Sequence, residues 1–65
     1  MEIRDLRNFI KVVQAGSFTK AAEQSFVSQP SLSKSIKRLE EELDVQLLER
    51  TTRFIRLTEE GKVVF

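Results

Sequence analysis

A row of large aliphatic residues at helical spacing crosses the middle of the chain, and this row constrains the fold more than any other feature. The row consists of Leu32, Ile36, Leu39 and Leu43. Residues three or four positions apart share one face of an α-helix. Ser28 is a favoured N-cap, and Pro30 falls in the first turn, where the amide hydrogen that proline lacks would have no helical partner. The pattern predicts a well-defined helix with its leucine face on a core.

Two shorter helical patterns precede this helix. The first has an apolar stripe made of Leu6, Phe9, Ile10 and Val13. It is followed by Gly16, a residue suited to the left-handed conformation that ends many helices. Ser17 then predicts the N-cap of a short helix in which Phe18, Ala21 and Ala22 share a face. The two alanines would let another helix approach closely.

The pattern changes to that of a hairpin after the leucine row. Asp44 is acceptable as a left-handed helix end, and two short apolar segments flank a polar turn at residues 51–53. The strand period of two places Ile55 and Leu57 inward. Phe54 and Arg56 then point outward. The sequence therefore predicts a two-stranded β-hairpin.

A last helix is predicted from Thr58 onwards. Thr58 is its N-cap, and Glu59 and Glu60 are placed favourably at the positive end of the helix dipole. Gly61 weakens this helix in propensity. The predicted fold class is therefore mainly α with a small β-hairpin.

Composition limits the chain to one small domain without an evident catalytic apparatus. It has 65 residues, of which 40% are hydrophobic, and it contains no Cys and no His. These absences exclude disulfides and zinc sites built from those ligands, and they remove the usual general base. No catalytic residue, cofactor or metal site is predicted. Neither a membrane span nor a signal peptide fits the sequence, so we expect an intracellular protein.

The charges are segregated although they nearly cancel. Eleven Lys and Arg against ten Asp and Glu give a net charge of +1. No acid lies between Ser28 and Leu39 or from residue 50 to residue 58. The face opposite the leucine row carries Pro30, Lys34 and Lys37, flanked by Ser33 and Arg38, and the hairpin carries Arg50, Arg53 and Arg56. Such local positive elements are expected of a protein that neutralises phosphates.

The front of the leucine-row helix also carries small polar side chains that can bind nucleic acid. Ser28, Gln29, Ser31 and Ser33 can form hydrogen bonds with phosphates or base edges. Gln29 suits the paired donor and acceptor of adenine. A short helix, a tight turn and a longer helix with this face correspond to the helix-turn-helix arrangement, in which the second helix enters the major groove.

The order of these segments resembles the DNA-binding domain of LysR-type transcriptional regulators over nearly the whole chain. The matching residues are Gly16-Ser17-Phe18-Thr19-Lys20-Ala21-Ala22, Val27-Ser28-Gln29-Pro30-Ser31-Leu32-Ser33, Ile36, Leu39-Glu40, Leu47-Leu48-Glu49-Arg50, Arg53 and Leu57-Thr58-Glu59-Glu60-Gly61. The resemblance implies a bacterial winged helix-turn-helix repressor or activator that binds double-stranded DNA as a dimer on an interrupted inverted repeat. Its fold would have a three-helix core, a wing and the start of a linker helix.

The resemblance also assigns contacts to individual residues. Base contacts in the major groove fall on Gln29, Pro30, Ser33 and Lys34. Arg53 on the wing would reach the minor groove. Phosphate candidates are Thr19, Lys37 and Thr51, together with the basic or polar Ser28, Ser31, Arg38, Arg50 and Arg56.

The domain boundaries follow from the same resemblance. Residues 1–58 would form the DNA-binding domain, and residues 59–65 would begin a linker helix that pairs two subunits into a homodimer or higher oligomer. Val63, Val64 and Phe65 would then start a dimer surface with little to pack on in this chain. A small-molecule effector is expected only in a C-terminal domain of the periplasmic-binding-protein type, absent here. A regulator of this kind would be cytoplasmic.

The sequence departs from the family pattern at three positions. Ser25 stands where the family usually has Leu, Asp44 where Gly is usual, and Leu48 where Phe is common. Ser25 could donate a hydrogen bond to a carbonyl of its own helix. Either Phe26 or Val27 could then supply the missing apolar area.

Other interpretations remain open for several residues. Lys34 and Lys37 could simply form a solvated helix face, and Arg50 and Arg56 could protect a strand edge from pairing. The acids at positions 40–42 are interpreted as a solvated helix end. A winged helix used only for protein contact is the alternative function, although its exposed helix face should then be apolar.

Overall fold

The computed structural model describes residues 2–50 and 55–65, which contain four α-helices and a two-stranded hairpin. The elements are, in order, α1 (Ile3–Ala15), α2 (Phe18–Ser25), α3 (Gln29–Leu43), β1 (Leu48–Arg50), β2 (Ile55–Leu57) and α4 (Glu59–Val64). The predicted fold class, mainly α with a small hairpin, is confirmed.

The helix boundaries lie where the local sequence predicts them. Ser17, Ser28 and Thr58 each accept a hydrogen bond from the backbone N–H three residues further on, at 3.1, 3.3 and 2.9 Å. Gly16 ends α1 with φ of 83°, and Asp44 ends α3 with φ of 55°. Both residues are therefore in the left-handed conformation, so the predicted helix ends are confirmed.

The core lies where α1, α2 and α3 meet and extends to the start of the hairpin. Its buried members are Phe9, Val12, Ala21, Leu32, Ile36, Leu39, Leu47 and Leu48. In the predicted leucine row, Leu32, Ile36 and Leu39 are fully buried, and Leu43 is half-buried against them. The row therefore determines which face of α3 is turned away from solvent.

The buried face of α1 differs from its predicted apolar stripe. Ile10 is 39% exposed, whereas Val12, which the stripe omitted, is fully buried. Asp5 and Asn8 lie on the same buried face as Phe9 and Val12. The hydrophobic pattern missed this orientation because two of the residues facing α3 are polar.

The turn between α2 and α3 accommodates the departure at Ser25. Its hydroxyl donates a hydrogen bond to the Ala21 carbonyl at 2.6 Å, as the sequence suggested. Phe26 is 96% exposed, whereas Val27 packs against the core. Val27, and not Phe26, therefore supplies apolar contact next to the polar Ser25.

The two strands are antiparallel, with Leu48 opposite Leu57 and Arg50 opposite Ile55. Ile55 and Leu57 pack against the core and Arg56 is exposed, so these predicted orientations are confirmed. Phe54 lies outside the described residues.

The acidic end of α3 is not entirely solvated, contrary to the sequence interpretation. Glu41 and Glu42 are exposed. The Glu40 carboxylate, however, accepts hydrogen bonds from the backbone N–H groups of Leu47 and Leu48 at 2.8 and 3.3 Å. Glu40 therefore connects α3 to the beginning of β1.

Helix α4 packs more closely than the sequence indicated. Gly61 is buried, and a Cβ atom there would collide with the carbonyl oxygen of Leu47. The ring of Phe65 meets that of Phe9 edge to face, with centroids 6.2 Å apart. Phe65 therefore has a ring contact that the sequence did not indicate, although it remains 51% exposed, and Val63 is 87% exposed.

Candidate nucleic-acid interface

One face of α3 is free of the core and carries most of the predicted contact residues. Burial of the leucine row turns the opposite face to solvent. Gln29, Pro30, Ser31, Lys34 and Lys37 are all exposed, and Ser33 is half-buried. The structure thus brings these side chains onto one rigid helical surface, which we call the reading face.

Two hydrogen bonds organise the first turn of α3. The Gln29 amide nitrogen donates to the Thr19 hydroxyl at 3.2 Å and so links the reading face to the second residue of α2. The Ser28 hydroxyl donates to the Ser31 hydroxyl at 2.9 Å while it accepts from the Ser31 backbone N–H. Ser28 therefore acts as a helix cap, and its oxygen is committed within the turn.

Arg38 has a structural partner that sequence reasoning missed. Its Nε donates to Oδ2 of Asp5 at 3.1 Å, and its Nη2 donates to Oδ1 at 2.8 Å. The Asp5 side chain is fully buried, whereas that of Arg38 is 47% exposed. These hydrogen bonds lower the pKa of the Asp5 carboxyl below its ordinary value, against the opposite effect of burial. The guanidinium is thus held against α1.

A second polar contact joins the same two helices. The Asn8 amide donates to the Ser35 hydroxyl at 2.9 Å, and both residues are buried. Asp5 and Asn8 are three residues apart on α1, as are Ser35 and Arg38 on α3. This shared spacing is the sequence signal that could have indicated a polar contact between the helices. Together, the two polar contacts fix how α3 is rotated relative to α1.

Among the described residues of the hairpin, an ion pair joins the two strands. Arg56 donates to the Glu49 carboxylate at 2.8 Å, and the two residues are opposite each other in the antiparallel register. Arg56 is 78% exposed. Arg50 pairs with Ile55 through the strand backbone, but its side chain lies outside the described part of the structure. Thr51 and Arg53, the predicted wing contacts, also lie outside it.

Three further cations border the reading face and were missed by sequence reasoning. Arg4, Arg7 and Lys11 are exposed on α1 and line a cleft of about 830 Å³ between α1 and residues 31–38 of α3. Lys34 and Ser31 line the opposite side of this cleft. The spacing of three and four positions in α1 could have shown that the three cations share a face.

Neither a metal-ligand cluster nor a membrane-spanning helix is found in the described ranges. No cluster of three or more potential metal ligands occurs among residues 2–50 and 55–65. In the same ranges, no helix has both the length and the apolar character needed to cross a membrane.

Comparison with known proteins identifies the family of this domain. The model of the bacterial regulatory helix-turn-helix proteins, lysR family, matches residues 3–62. The chain belongs to this family. The fold is that of the winged helix-turn-helix domain of LysR-type regulators, in which β1 and β2 form the wing.

Relatives of this LysR-type domain are found among regulators and solved structures. The HTH-type transcriptional regulator BenM of Acinetobacter baylyi is 54% identical over 61 residues, which cover 94% of this chain and 20% of that regulator. The chain therefore spans about one fifth of the length of that relative. Two solved structures, each covering 97% of this chain, contain related domains bound to DNA.

The first of these is the complex of the BenM DNA-binding domain with catB site 1 DNA, with 52% identity, a TM-score of 0.91 and 71% of its chain covered. The second is the complex of the CbnR DNA-binding domain with DNA, with 44% identity, a TM-score of 0.93 and 72% of its chain covered.

Proposed function

We propose that this LysR-type domain binds double-stranded DNA sequence-specifically, with the front half of α3 in the major groove and the wing at the minor groove. The observation that carries the proposal is the reading face. Leu32, Ile36 and Leu39 anchor α3 in the core, while the opposite face of its front half, residues 29–37, presents polar and cationic side chains and no acid. Related domains bound to DNA in the two complexes support this function.

The base contacts are assigned to the first turns of α3. Gln29, Pro30, Ser33 and Lys34 face the floor of the major groove in this proposal. The Gln29 amide can exchange its hydrogen bond with Thr19 for the adjacent donor and acceptor of an adenine. Arg53 is assigned to the minor groove on the basis of the family resemblance alone.

The phosphate contacts are assigned to residues around these bases. Ser31 and Lys37 are exposed on the reading face, and Thr19 is exposed next to it. Arg50, Thr51 and Arg56 come from the wing segment of the sequence. Ser28 contributes by ordering the helix N-terminus, whose backbone amides can face a phosphate. Arg38 has its Nε and one Nη engaged by Asp5, so a phosphate would have to use its remaining hydrogens.

The domain acts as the DNA-binding part of a bacterial regulator and not as an enzyme. Residues 1–58 form the binding domain, and residues 59–65 begin a helix that pairs two subunits. The dimer then places two copies of α3 on an interrupted inverted repeat. A small-molecule effector binds elsewhere in such a regulator, and the protein works in the cytoplasm, where its DNA is. The names of the relatives support this assignment.

Fluorescence anisotropy of a labelled random duplex, titrated at several salt concentrations, tests the proposal. Wild-type binding should weaken steeply with salt, and Lys34→Ala and Arg53→Ala should weaken it further. Lys62→Ala is the matched control, because Lys62 is an exposed cation of α4 and belongs neither to the reading face nor to the wing. If the chain fails to bind at low salt, even when fused to a dimerising coiled coil, the proposal is wrong.

A further inference from the structure

The cleft between α1 and α3 is an unusual concentration of positive charge for a chain whose net charge is only +1. Arg4, Arg7 and Lys11 line it from α1, and Lys34 and Arg38 line it from α3. No carboxylate belongs to the described residues that line the cleft. Asp5, the nearest acid of α1 in sequence to Arg4, is buried and bound to Arg38.

Among the described residues the α1 cations form no ion pair, and in this they resemble Lys34 of the reading face. Arg38, Arg56 and Lys62 each form an ion pair with a carboxylate. Within the described ranges, no ion pair or side-chain hydrogen bond involves Arg4, Arg7 or Lys11. Ion pairing thus engages Arg56 on the wing and Lys62 on α4 but leaves the α1 side chains available to an external anion.

Packing fixes the direction in which the three α1 cations face. We call these residues, Arg4, Arg7 and Lys11, the α1 stripe. The adjacent side of α1 is held against α3 by the Asn8–Ser35 hydrogen bond at 2.9 Å, between two residues that also line the cleft, and by the Asp5–Arg38 pair. The cations therefore lie alongside the reading face. Lys34 and Ser31 belong to both the cleft and the reading face, so DNA docked on that face would pass the mouth of the cleft.

The α1 stripe also has a suitable length for a nucleic-acid backbone. Seven residues of an α-helix rise about 10 Å, and one strand of B-DNA advances about 3.4 Å along its axis per phosphate. A polyanion with regularly repeated charges can thus meet all three cations. An isolated small anion would meet only one or two of them.

We propose that the α1 stripe binds phosphates of the DNA backbone bordering the groove that α3 occupies. This inference rests on the proposed function and extends its contact surface to a helix outside the helix-turn-helix pair and the wing. The stripe neutralises phosphates without reading bases, so it adds affinity equally on all sequences and positions α3 in the groove.

The test compares Arg4→Gln, Arg7→Gln and Lys11→Gln, singly and together, with Lys62→Gln as a charge-matched control. Affinity is measured by anisotropy between 50 and 200 mM salt, on random duplex and on a duplex selected by the wild-type chain. Removing one cation that binds a phosphate should flatten the slope of log K against log salt by about 0.9. Between 50 and 200 mM salt, the variant's affinity should then fall by a factor about 3.5 times smaller than the wild-type affinity does. The reduction in affinity should be the same on both duplexes, and Lys62→Gln should behave as wild type.

The outcomes separate this inference from the proposed function. If the wild-type chain binds and Lys34→Ala weakens binding while the triple α1 variant keeps the wild-type salt slope, the α1 stripe does not touch DNA and the inference is wrong. A reduction confined to the selected duplex would also overturn it, because that result indicates base readout. Circular dichroism melting of each variant checks that the exposed substitutions leave the fold intact.

Discussion

Asp5 and Arg38 join the first helix to the third through two parallel hydrogen bonds, of 3.1 Å from Nε to Oδ2 and 2.8 Å from Nη2 to Oδ1. The carboxylate is fully buried, and it is charged because the guanidinium faces it. Burial of the leucine row decides which face of α3 reaches solvent, and the pair adds a polar contact that fixes how this helix is oriented against α1.

The pair predicts a specific loss of stability in acid. Because Arg38 lowers the pKa of Asp5 in the folded state, the stabilisation is complete above the ordinary carboxyl pKa of about 3.9. It is lost as the pH falls from there through the lower folded-state pKa. Asp5→Asn should lower the melting temperature at pH 7 and flatten the fall in unfolding free energy below pH 5, both measurable by circular dichroism.

The exposed pair on the wing is the control for this effect. Glu49 and Arg56 are also 2.8 Å apart but are accessible to solvent, so Glu49→Gln should change the melting temperature little. An acid-unfolding profile of Asp5→Asn that falls as steeply as the wild-type profile would show that the Asp5 carboxylate is not responsible.

Phe26 should be a site where substitution stabilises the domain. Its φ of 57° is left-handed, and its side chain is 96% exposed, so the backbone is strained while the ring buries little surface. Asn adopts this conformation more readily, and Phe26→Asn should therefore raise the unfolding free energy by about 1 kcal/mol. Urea denaturation measures the change. Phe26→Ala has no polar side chain to hydrogen-bond the local backbone and should gain much less, and an equal gain would attribute the effect to removal of the ring.

Gly61 should not tolerate a side chain. A Cβ atom there would overlap the Leu47 carbonyl oxygen, which also accepts the Thr58 backbone N–H at 3.0 Å. Gly61→Ala should therefore lower the unfolding free energy by about 1 to 3 kcal/mol, although alanine favours helices. Val63→Ala, at an exposed position of the same helix, is the control and should have little effect. A Gly61→Ala domain as stable as wild type would place α4 away from Leu47.

Gln29 and Lys37 should differ in how they affect DNA binding. Gln29→Ala should weaken binding to a selected duplex by about 1 to 3 kcal/mol, with little change on random DNA, because it removes a base contact. Lys37→Ala should weaken binding to both and reduce the salt slope by about one. Anisotropy titrations on the two duplexes distinguish these cases. Equal losses on both for Gln29→Ala would exclude a role in base readout.

Much of the fold was predictable because its signals are local. The caps at Ser17, Ser28 and Thr58 and the left-handed ends at Gly16 and Asp44 lie where the sequence places them. These features involve neighbouring backbone groups, so a few residues determine them. The leucine row likewise predicts that Lys34, on the other side of the same helix, is exposed.

Contacts between distant segments were less accessible to sequence reasoning. Glu40 looked like part of a solvated acidic end, yet its carboxylate accepts backbone N–H groups at the start of β1. Phe65 looked unpartnered, yet its ring packs on Phe9. Neither contact has a local pattern, because each depends on where the chain returns after a turn.

The helices, the hairpin, the family and the polar face of α3 can be predicted from the order of residues, because period, capping and charge order are properties of consecutive residues. The pairing of Arg38 with Asp5, and the position of Arg4, Arg7 and Lys11 beside the reading face, become visible only in the folded domain. They depend on how two packed helices are rotated against each other, and that rotation depends on the contacts between them. Here buried polar residues, which a hydrophobic pattern does not register, form those contacts.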